Sequence, residues 1–206
     1  MVVWEEPDRV VFRSRGEHPM AYEWLVEAAD GGSCVVRLVS SGFGSGPEWD
    51  AQFDGMSEGW RIFLANLELQ LTHFRGLRAL ASVPTLMVPG PRADAWATLC
   101  EAMEIPPEAD EGEVIDTGGA APPLVATVAS TWETSGARAY HLLLTEPGPG
   151  TGFVVVEGEG DELAASVYLY LYDTEPGEVE RLERRWLEWM EERFLPIEER
   201  LKRQKT

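Results

Sequence analysis

The sequence predicts an α+β protein in which antiparallel β-sheets lie against long amphipathic helices, in two successive units. Three observations predict this fold. Apolar and polar residues alternate over short segments such as residues 22–28, which is the period of two of a half-buried strand. Turns as short as Asp30-Gly31-Gly32 join successive strands, and such short links require antiparallel pairing. Each group of strands is followed by apolar residues spaced three and four apart, which is the stripe of an amphipathic helix.

The first unit reads as strands followed by one long helix. Residues 2–4 and 9–13 are β-rich runs separated by a Glu-Glu-Pro-Asp turn, and residues 22–28 and 34–39 form a hairpin. The period changes after Pro47, which predicts a helix that reaches Phe74 and stops before Gly76. Its apolar stripe consists of Trp49, Phe53, Met56, Trp60, Phe63, Leu64, Leu67, Leu71 and Phe74.

The second unit repeats this order of elements. Residues 83–88 predict a strand, residues 93–103 a helix that Pro106 and Pro107 end, and residues 108–113 an exposed acidic loop. An antiparallel meander follows, with strands predicted at residues 124–132, 137–145, 152–157 and 163–172. The last helix carries the stripe Val179, Leu182, Trp186, Trp189, Met190, Phe194 and Ile197. The sequence therefore predicts two units, residues 1–80 and 81–206, with the boundary near residues 76–82.

Charge and composition narrow the classes of partner. The 206 residues include 17 basic and 36 acidic side chains, a formal net charge of −19, which repels phosphate backbones and anionic membranes. The hydrophobic content of 44% suffices for a real core, and no apolar run approaches the length of a membrane span. Cys34 and Cys100 are expected to be buried thiols, as suits a reducing compartment. With no signal peptide pattern at the N-terminus, a soluble cytoplasmic protein is expected.

Part of the first unit resembles a known family. The segment WEEPDRVVFR, from Trp4 to Arg13, resembles the strand–turn–strand segment of SRPBCC proteins of the AHSA-like group, relatives of the activators of the ninety-kilodalton heat-shock chaperone. The segment from Ser41 through Trp49 to Trp60 is similar to that group's final strand, loop and closing helix. The resemblance covers about residues 1–76, and the second unit is similar to the family only in the order of its elements, as a degenerate copy.

The resemblance implies a START-like helix-grip fold, in which a sheet grips a long C-terminal helix, often around an apolar cavity for a small lipophilic ligand. The family domain normally begins with a strand, two helices and further strands before the segment that matches Trp4. The sequence lacks these elements, so the first unit is expected to be N-terminally truncated relative to the family. Too few strands remain to cover its helix, and either a homodimer or a tight interface between the units is expected to supply the missing cover.

The sequence offers little sign of metal, cofactor or nucleophilic chemistry. The loop from Gly42 to Gly46 lacks both the G-x-G-x-x-G spacing and a phosphate-binding lysine, which favours an ordinary loop. The three histidines, His18, His73 and His141, form no metal-ligand pattern, so we expect neither metal nor cofactor. The acids of residues 108–113 are typical of a solvated loop rather than of paired catalytic carboxylates.

Aromatic residues are the candidate site. Tyr22, Trp24 and Trp60 are expected between sheet and helix in the first unit, and Trp132, Tyr140 and Trp186 in the second, with His141 as a polar handle. Ligand pockets are mostly apolar with a few polar groups, which this set would provide. Aromatic stripes of this kind more often simply fill a core, so core filling is the favoured alternative to a ligand cavity.

Three functional hypotheses follow. The first is a non-catalytic binding module for a small lipophilic ligand or a protein partner, with a chaperone-cofactor-like role implied by the resemblance. The second is a polyketide-cyclase-like enzyme, which a perturbed ionisable group inside a cavity would favour. The third is an interaction scaffold whose cavity has closed.

Overall fold

The computed structural model describes residues 2–16, 19–160 and 162–195, which divide into two compact units between Ser57 and Glu58. The helices of this part of the chain are α1 (Pro47–His73), α2 (Arg92–Met103) and α3 (Pro176–Phe194). Its strands are β1 (Val3–Glu5), β2 (Arg9–Arg13), β3 (Ala21–Ala28), β4 (Cys34–Ser41), β5 (Ala79–Ser82), β6 (Thr85–Val88), β7 (Val114–Asp116), β8 (Val125–Glu133), β9 (Ala137–Glu146), β10 (Gly150–Glu159) and β11 (Glu162–Tyr172). The α+β class with antiparallel sheets and a long C-terminal helix is confirmed. Ile197, expected in the last helix, lies outside the described residues.

The first unit contains a four-stranded antiparallel sheet in the order β1-β2-β3-β4. Arg9 pairs with Glu23 on one face, and the register places Trp4, Val10, Trp24 and Leu38 side by side on the other. Trp4 is 60% exposed, so this apolar row is incompletely covered. The expectation that Cys34 is buried is wrong: it is exposed, because it begins β4 opposite Ala28, at the exposed end of β3.

Helix α1 runs through the division between the units. Its residues up to Ser57 belong to the first unit, and those from Glu58 belong to the second, whereas the sequence placed the boundary after the helix. The later turns of α1 belong to the second unit because their side chains pack on its sheet. Ile62 packs on the second sheet, and Phe63 meets Phe153 of β10 edge to face with 6.2 Å between ring centroids.

The second unit contains a seven-stranded antiparallel sheet. Its order is β5-β11-β10-β9-β8-β7, and β6 also pairs with β11. The strand predicted over residues 83–88 corresponds to β6, whereas β5 lies before that range and was not predicted. The two strands pair with different stretches of β11. They are separated at Pro84, which has no N–H to continue the ladder. Strand β7, absent from the sequence prediction, follows the acidic loop and pairs with β8.

Both faces of this sheet are packed. Side chains alternate between the two faces of each strand, so a strand such as β9 supplies two clusters. The main core lies under α2 and α3 and includes Trp96, Leu142, Val167, Trp186 and Met190. The opposite face carries a second cluster of Ala137, Ala139, Phe153 and Val155, on which Ile62 of α1 packs. Burying each large apolar side chain contributes about 1.5–3 kcal/mol.

Candidate functional site

An open groove of about 450 Å³ lies at one side of the second sheet. Its walls come from residues 107–110 and 113 of the loop after α2, residues 131–133 of β8 and residues 138–140 of β9. Two elements of the sheet and one loop therefore have to hold their relative positions for the groove to keep its shape.

Three side chains hold that loop against the sheet. The indole Nε1 of Trp96 donates to the Pro107 carbonyl at 2.8 Å, and Nη2 of Arg138 donates to the same oxygen at 3.2 Å. The Tyr140 hydroxyl donates to the Pro106 carbonyl at 2.8 Å. Prolines cannot continue helix α2, and their carbonyls need donors from elsewhere when they pack against the protein. Trp96 and Tyr140 are buried, so this clamp is built on the core.

Arg138 is the cationic side chain of the groove. Its guanidinium lies 5.5 Å from the centroid of the Trp96 ring, a cation–π arrangement. Four carboxylates line the same groove, those of Glu108, Asp110, Glu113 and Glu133. Yet within the part of the chain that the structure describes, Arg138 forms no ion pair within 4.0 Å. A guanidinium has five N–H donors, so donors remain for a ligand oxygen.

The hydroxyl beside Arg138 is a neutral donor. Burial raises the pKa of Tyr140, and the negative charges of Glu108 and Glu113 raise it further, while Arg138 lowers it. Burial also raises the pKa of the Cys100 thiol to about 12. Neither group ionises at neutral pH, so Tyr140 donates a hydrogen bond and does not act as a base there, and Cys100 is not a reactive thiolate.

A buried histidine lies on the opposite face of β9. His141 is 2% exposed, and its ring stacks on Phe153 with 4.7 Å between centroids. Its Nε2 lies 3.3 Å from Oδ1 of Asn66 in α1, and its Nδ1 lies 3.4 Å from Oγ of Ser130. A break in register between Val128 and Ser130 of β8 sets Ser130 opposite His141. Desolvation lowers the pKa of His141 to about 4, so the ring is neutral at pH 7.

The four candidate residues of the second unit do not line one cavity. Tyr140 and Trp186 lie in the main core, whereas His141 and Trp132 lie on the other face, because consecutive strand residues point to opposite faces. The groove brings together Trp132 and Tyr140. Trp186 is fully buried, and its Nε1 has no hydrogen-bond partner among the described residues.

The remaining candidates are spread over both units. Tyr22 and Trp24 are half-buried neighbours on one face of β3 in the first unit. Trp60 is half-buried in the second unit, where its ring meets Phe63 edge to face at 6.3 Å. His73 is the exposed last residue of α1, and His18 lies outside the described residues. The described ranges contain no group of three or more side chains placed to hold a metal ion, and none of their helices is long and apolar enough to cross a bilayer.

Sequence reasoning missed Arg138, Ser130 and Asn66. Arg138 had a signal: it is a charged residue in an apolar strand, two positions from Tyr140 and therefore on the same face. Asn66 had a weaker one, as an amide among the apolar residues Phe63, Leu64 and Leu67. Ser130 had none, because the register break that aims it at His141 is not visible in the sequence.

Comparison with known proteins gives matches among solved structures only. No family model and no curated protein matches the chain. The di-domain ARO/CYC (aromatase/cyclase) BexL from the BE-7585A biosynthetic pathway aligns over 91% of this chain and 76% of its own, with 16% identity and a TM-score of 0.31. DynU16, a protein of the dynemicin biosynthetic locus, aligns over 92% and 77%, with 14% identity and a TM-score of 0.34. The di-domain ARO/CYC StfQ from the steffimycin pathway aligns over 88% and 68%, with 14% identity and a TM-score of 0.28.

These matches correct the first functional hypothesis. Two of the three aligned proteins are named as aromatase/cyclases, and this finding contradicts the interpretation of the chain as a non-catalytic binding module. At these TM-scores the alignments assign no role to any side chain. The chemistry must therefore be argued from the groove itself.

Proposed function

We propose that the second unit is a polyketide-cyclase-like enzyme, which binds a poly-β-carbonyl compound in the groove and promotes its intramolecular aldol-type cyclisation. The observation that carries this proposal is the guanidinium of Arg138. It lines the groove, it is held by the Pro107 carbonyl and the Trp96 ring, and it has no ion-pair partner among the described residues.

A guanidinium fixed in this way suits a reaction that develops negative charge on oxygen. Removing a proton from the carbon between two carbonyl groups generates an enolate, and donors that are already in place stabilise it without reorganising. Arg138 is positioned by contacts that are independent of the substrate, with Pro107 and with Trp96. The neutral hydroxyl of Tyr140 remains engaged with Pro106 and serves to fix the loop.

The step balances within one substrate molecule. A carboxylate takes the proton from the activated carbon, and Arg138 donates hydrogen bonds to the enolate oxygen. The carbon then forms a bond to a second carbonyl carbon of the same molecule, and the new alkoxide oxygen takes back the proton. Glu108 is the proposed base, because it lines the groove directly after Pro107, whose carbonyl accepts a hydrogen bond from Arg138, whereas Glu113 already accepts a hydrogen bond from the Asp110 amide at 2.9 Å.

The test uses the full chain and a synthetic poly-β-keto N-acetylcysteamine thioester. Cyclisation is followed by ultraviolet absorbance and by mass spectrometry of the product. Arg138→Met should lower kcat about 100-fold or more, as for the loss of a donor to a developing oxyanion. Arg138→Lys should retain part of the activity, because it keeps the charge and loses the planar fork. Arg184→Met, an exposed arginine of α3, is the matched control. Turnover by the wild-type protein no faster than in buffer would contradict the proposal, as would an Arg138→Met variant as active as the wild type.

We also propose three properties that were predicted from the sequence. They are a cytoplasmic location, a homodimer or a tight association of the two units without nucleic-acid partners, and kinship of residues 1–76 with the AHSA-like group. The subunit number is measured directly by sedimentation equilibrium of the full chain.

A further inference from the structure

Strand β4 is the longest edge strand of the two sheets. It has eight residues, Cys34–Ser41, and it pairs with β3 on one side only. The other sheet edges in the described part of the chain are β1 and β7, with three residues each, and β5 and β6, with four residues each and Pro84 between them. Among the described strands, the outer edge of β4 therefore offers the longest row of main-chain N–H and C=O groups to a further strand.

The residues of β4 do not protect this edge. Natural sheets blunt their edges with short strands, prolines, bulges or inward-pointing charges. The sequence of β4, CVVRLVSS, contains no proline and one charged residue, Arg37, and its pairing with β3 runs without a bulge from Cys34 to Ser41. Val35 is 48% exposed and Val39 is 38% exposed. This edge is therefore suited to pairing with another strand.

We propose that β4 pairs with β4 of a second copy of this chain, antiparallel and about a two-fold axis at Leu38, so that the two four-stranded sheets join edge to edge. Such an interface is isologous, because the same strand edge is used by both copies. The inference uses residues of the first unit alone and is independent of the chemistry proposed for the groove. It specifies a surface for the homodimer, which is one of the two arrangements expected from the sequence.

The charge of Arg37 determines the register. A two-fold axis normal to the sheet keeps each side chain on its own face, so the axis passes through a residue of β4. An axis at Arg37 would set two guanidinium groups directly opposite each other, and like charges in that position destabilise a strand pair. An axis at Leu38 sets Leu38 against its own copy and Arg37 against the partner's Val39, and it pairs residues 35–41 of each copy. An axis at any other residue of β4 pairs fewer residues.

The same register continues the apolar face of the sheet from one copy to the other. Trp4, Val10, Trp24 and Leu38 form one row across the four strands, and the partner's Leu38 extends that row. The formal net charge of −19 opposes the association of two copies. However, β4 itself carries no acidic residue, and at physiological ionic strength charges more than about 8 Å apart are largely screened.

Two substitutions at one position test the register. Val39→Lys puts a cation opposite the partner's Arg37, whereas Val39→Glu puts a carboxylate there. Sedimentation equilibrium of the full chain at physiological ionic strength should give a dissociation constant for Val39→Lys about tenfold or more above that of Val39→Glu. Within one copy the preference is reversed, because Val39 lies opposite Glu23 of β3. An effect on folding alone would therefore favour lysine.

A disulfide tests the position of the axis. Leu38→Cys, combined with Cys34→Ser, sets two thiols opposite each other, within the Cα–Cα distance of about 4.4–6.8 Å that a disulfide requires. Mild oxidation should convert most of this variant into a covalent dimer. Val26→Cys in the same background is the matched control, because Val26 lies on the same face of β3 and its two copies are at least about 14 Å apart, three strand spacings. The wild type should not cross-link through Cys34 either, since those two thiols lie about 27 Å apart along the strands.

Three results would overturn the proposal. They are a protein that stays monomeric at submillimolar concentration, equal dissociation constants for Val39→Lys and Val39→Glu, and cross-linking of Leu38→Cys no faster than that of Val26→Cys. The cyclisation assay is a separate measurement. A wild-type protein that converts no thioester, while its Leu38→Cys variant cross-links as expected, contradicts the proposed function and supports this interface.

Discussion

The buried ring of His141 should make the stability of the protein depend on pH in a defined window. The folded-state pKa of His141 is lowered to about 4 from the ordinary value of 6.5, and desolvation is the cause. As the pH falls below 6.5, the unfolded chain takes up a proton that the folded chain refuses, so the free energy of unfolding decreases. Below pH 4 both states are protonated, and this contribution no longer changes. The difference of about 2.5 pKa units corresponds to a loss on the order of 3 kcal/mol.

The measurement compares wild type with His141→Gln, because the carboxylates that also titrate in this range are common to both chains. Glutamine retains a donor and an acceptor for Asn66 and Ser130 but takes up no proton in this range. Urea unfolding at pH 7, 6, 5 and 4 gives the difference in free energy between the two proteins at each pH. As the pH falls, the free energy of unfolding of the wild type should decrease relative to that of His141→Gln, by at most about 1.4 kcal/mol per pH unit.

His73→Gln serves as the control, since it replaces the exposed histidine at the end of α1. A difference curve between wild type and His141→Gln that stays flat from pH 7 to pH 4 would refute the reasoning. It would mean that the ring is either already charged in the folded protein or open to water.

Two further predictions concern stability away from the groove. Gly152→Ala should destabilise the protein by about 1–3 kcal/mol in thermal unfolding, because its new Cβ would press on the Tyr168 carbonyl in the middle of the sheet. Gly55→Ala, in an open position of α1, should instead stabilise the protein by about 0.5–1 kcal/mol. Equal effects of the two substitutions would contradict the argument. Arg92→Met should lower the free energy of unfolding in urea by about 1.5–3 kcal/mol, because Arg92 donates hydrogen bonds to the carbonyls of both Thr134 and Gly158, each at 3.1 Å. An unchanged urea midpoint would show that water replaces both hydrogen bonds.

The elements that the sequence predicted well are those whose pattern is local. The alternation of residues 22–28 matches β3, and the stripe from Pro47 matches α1 to within one residue of its end. The strand predicted over residues 83–88 matches β6, but β5 was missed because it has only four residues and depends on pairing with β11, which is a long-range property. The division of the chain within α1 is of the same kind, since it follows from contacts of Phe63 with strands about ninety residues later.

The candidate site was harder to predict than the fold, for a specific physical reason. A list of aromatic residues carries no information on which face of a strand each one takes. Tyr140 and His141 are neighbours in sequence and yet belong to different clusters. The groove depends on a loop that is held through the carbonyls of Pro106 and Pro107. The side chains that donate hydrogen bonds to these carbonyls lie about ten to thirty-odd residues away in sequence, so no local sequence pattern predicts the groove.

The charge of the groove bears on what it can bind. A chain with a formal net charge of −19, and four carboxylates around Arg138, is unfavourable for a ligand that arrives as an anion. A neutral poly-carbonyl compound meets no such repulsion when it enters, and it acquires negative charge only as the proton is removed. Arg138 would then interact more strongly with the transition state than with the bound substrate, which is the condition under which binding energy accelerates a reaction. The same acids that argue against nucleic acid and anionic lipid therefore favour a substrate whose charge appears during the reaction, next to the one groove-lining guanidinium among the described residues.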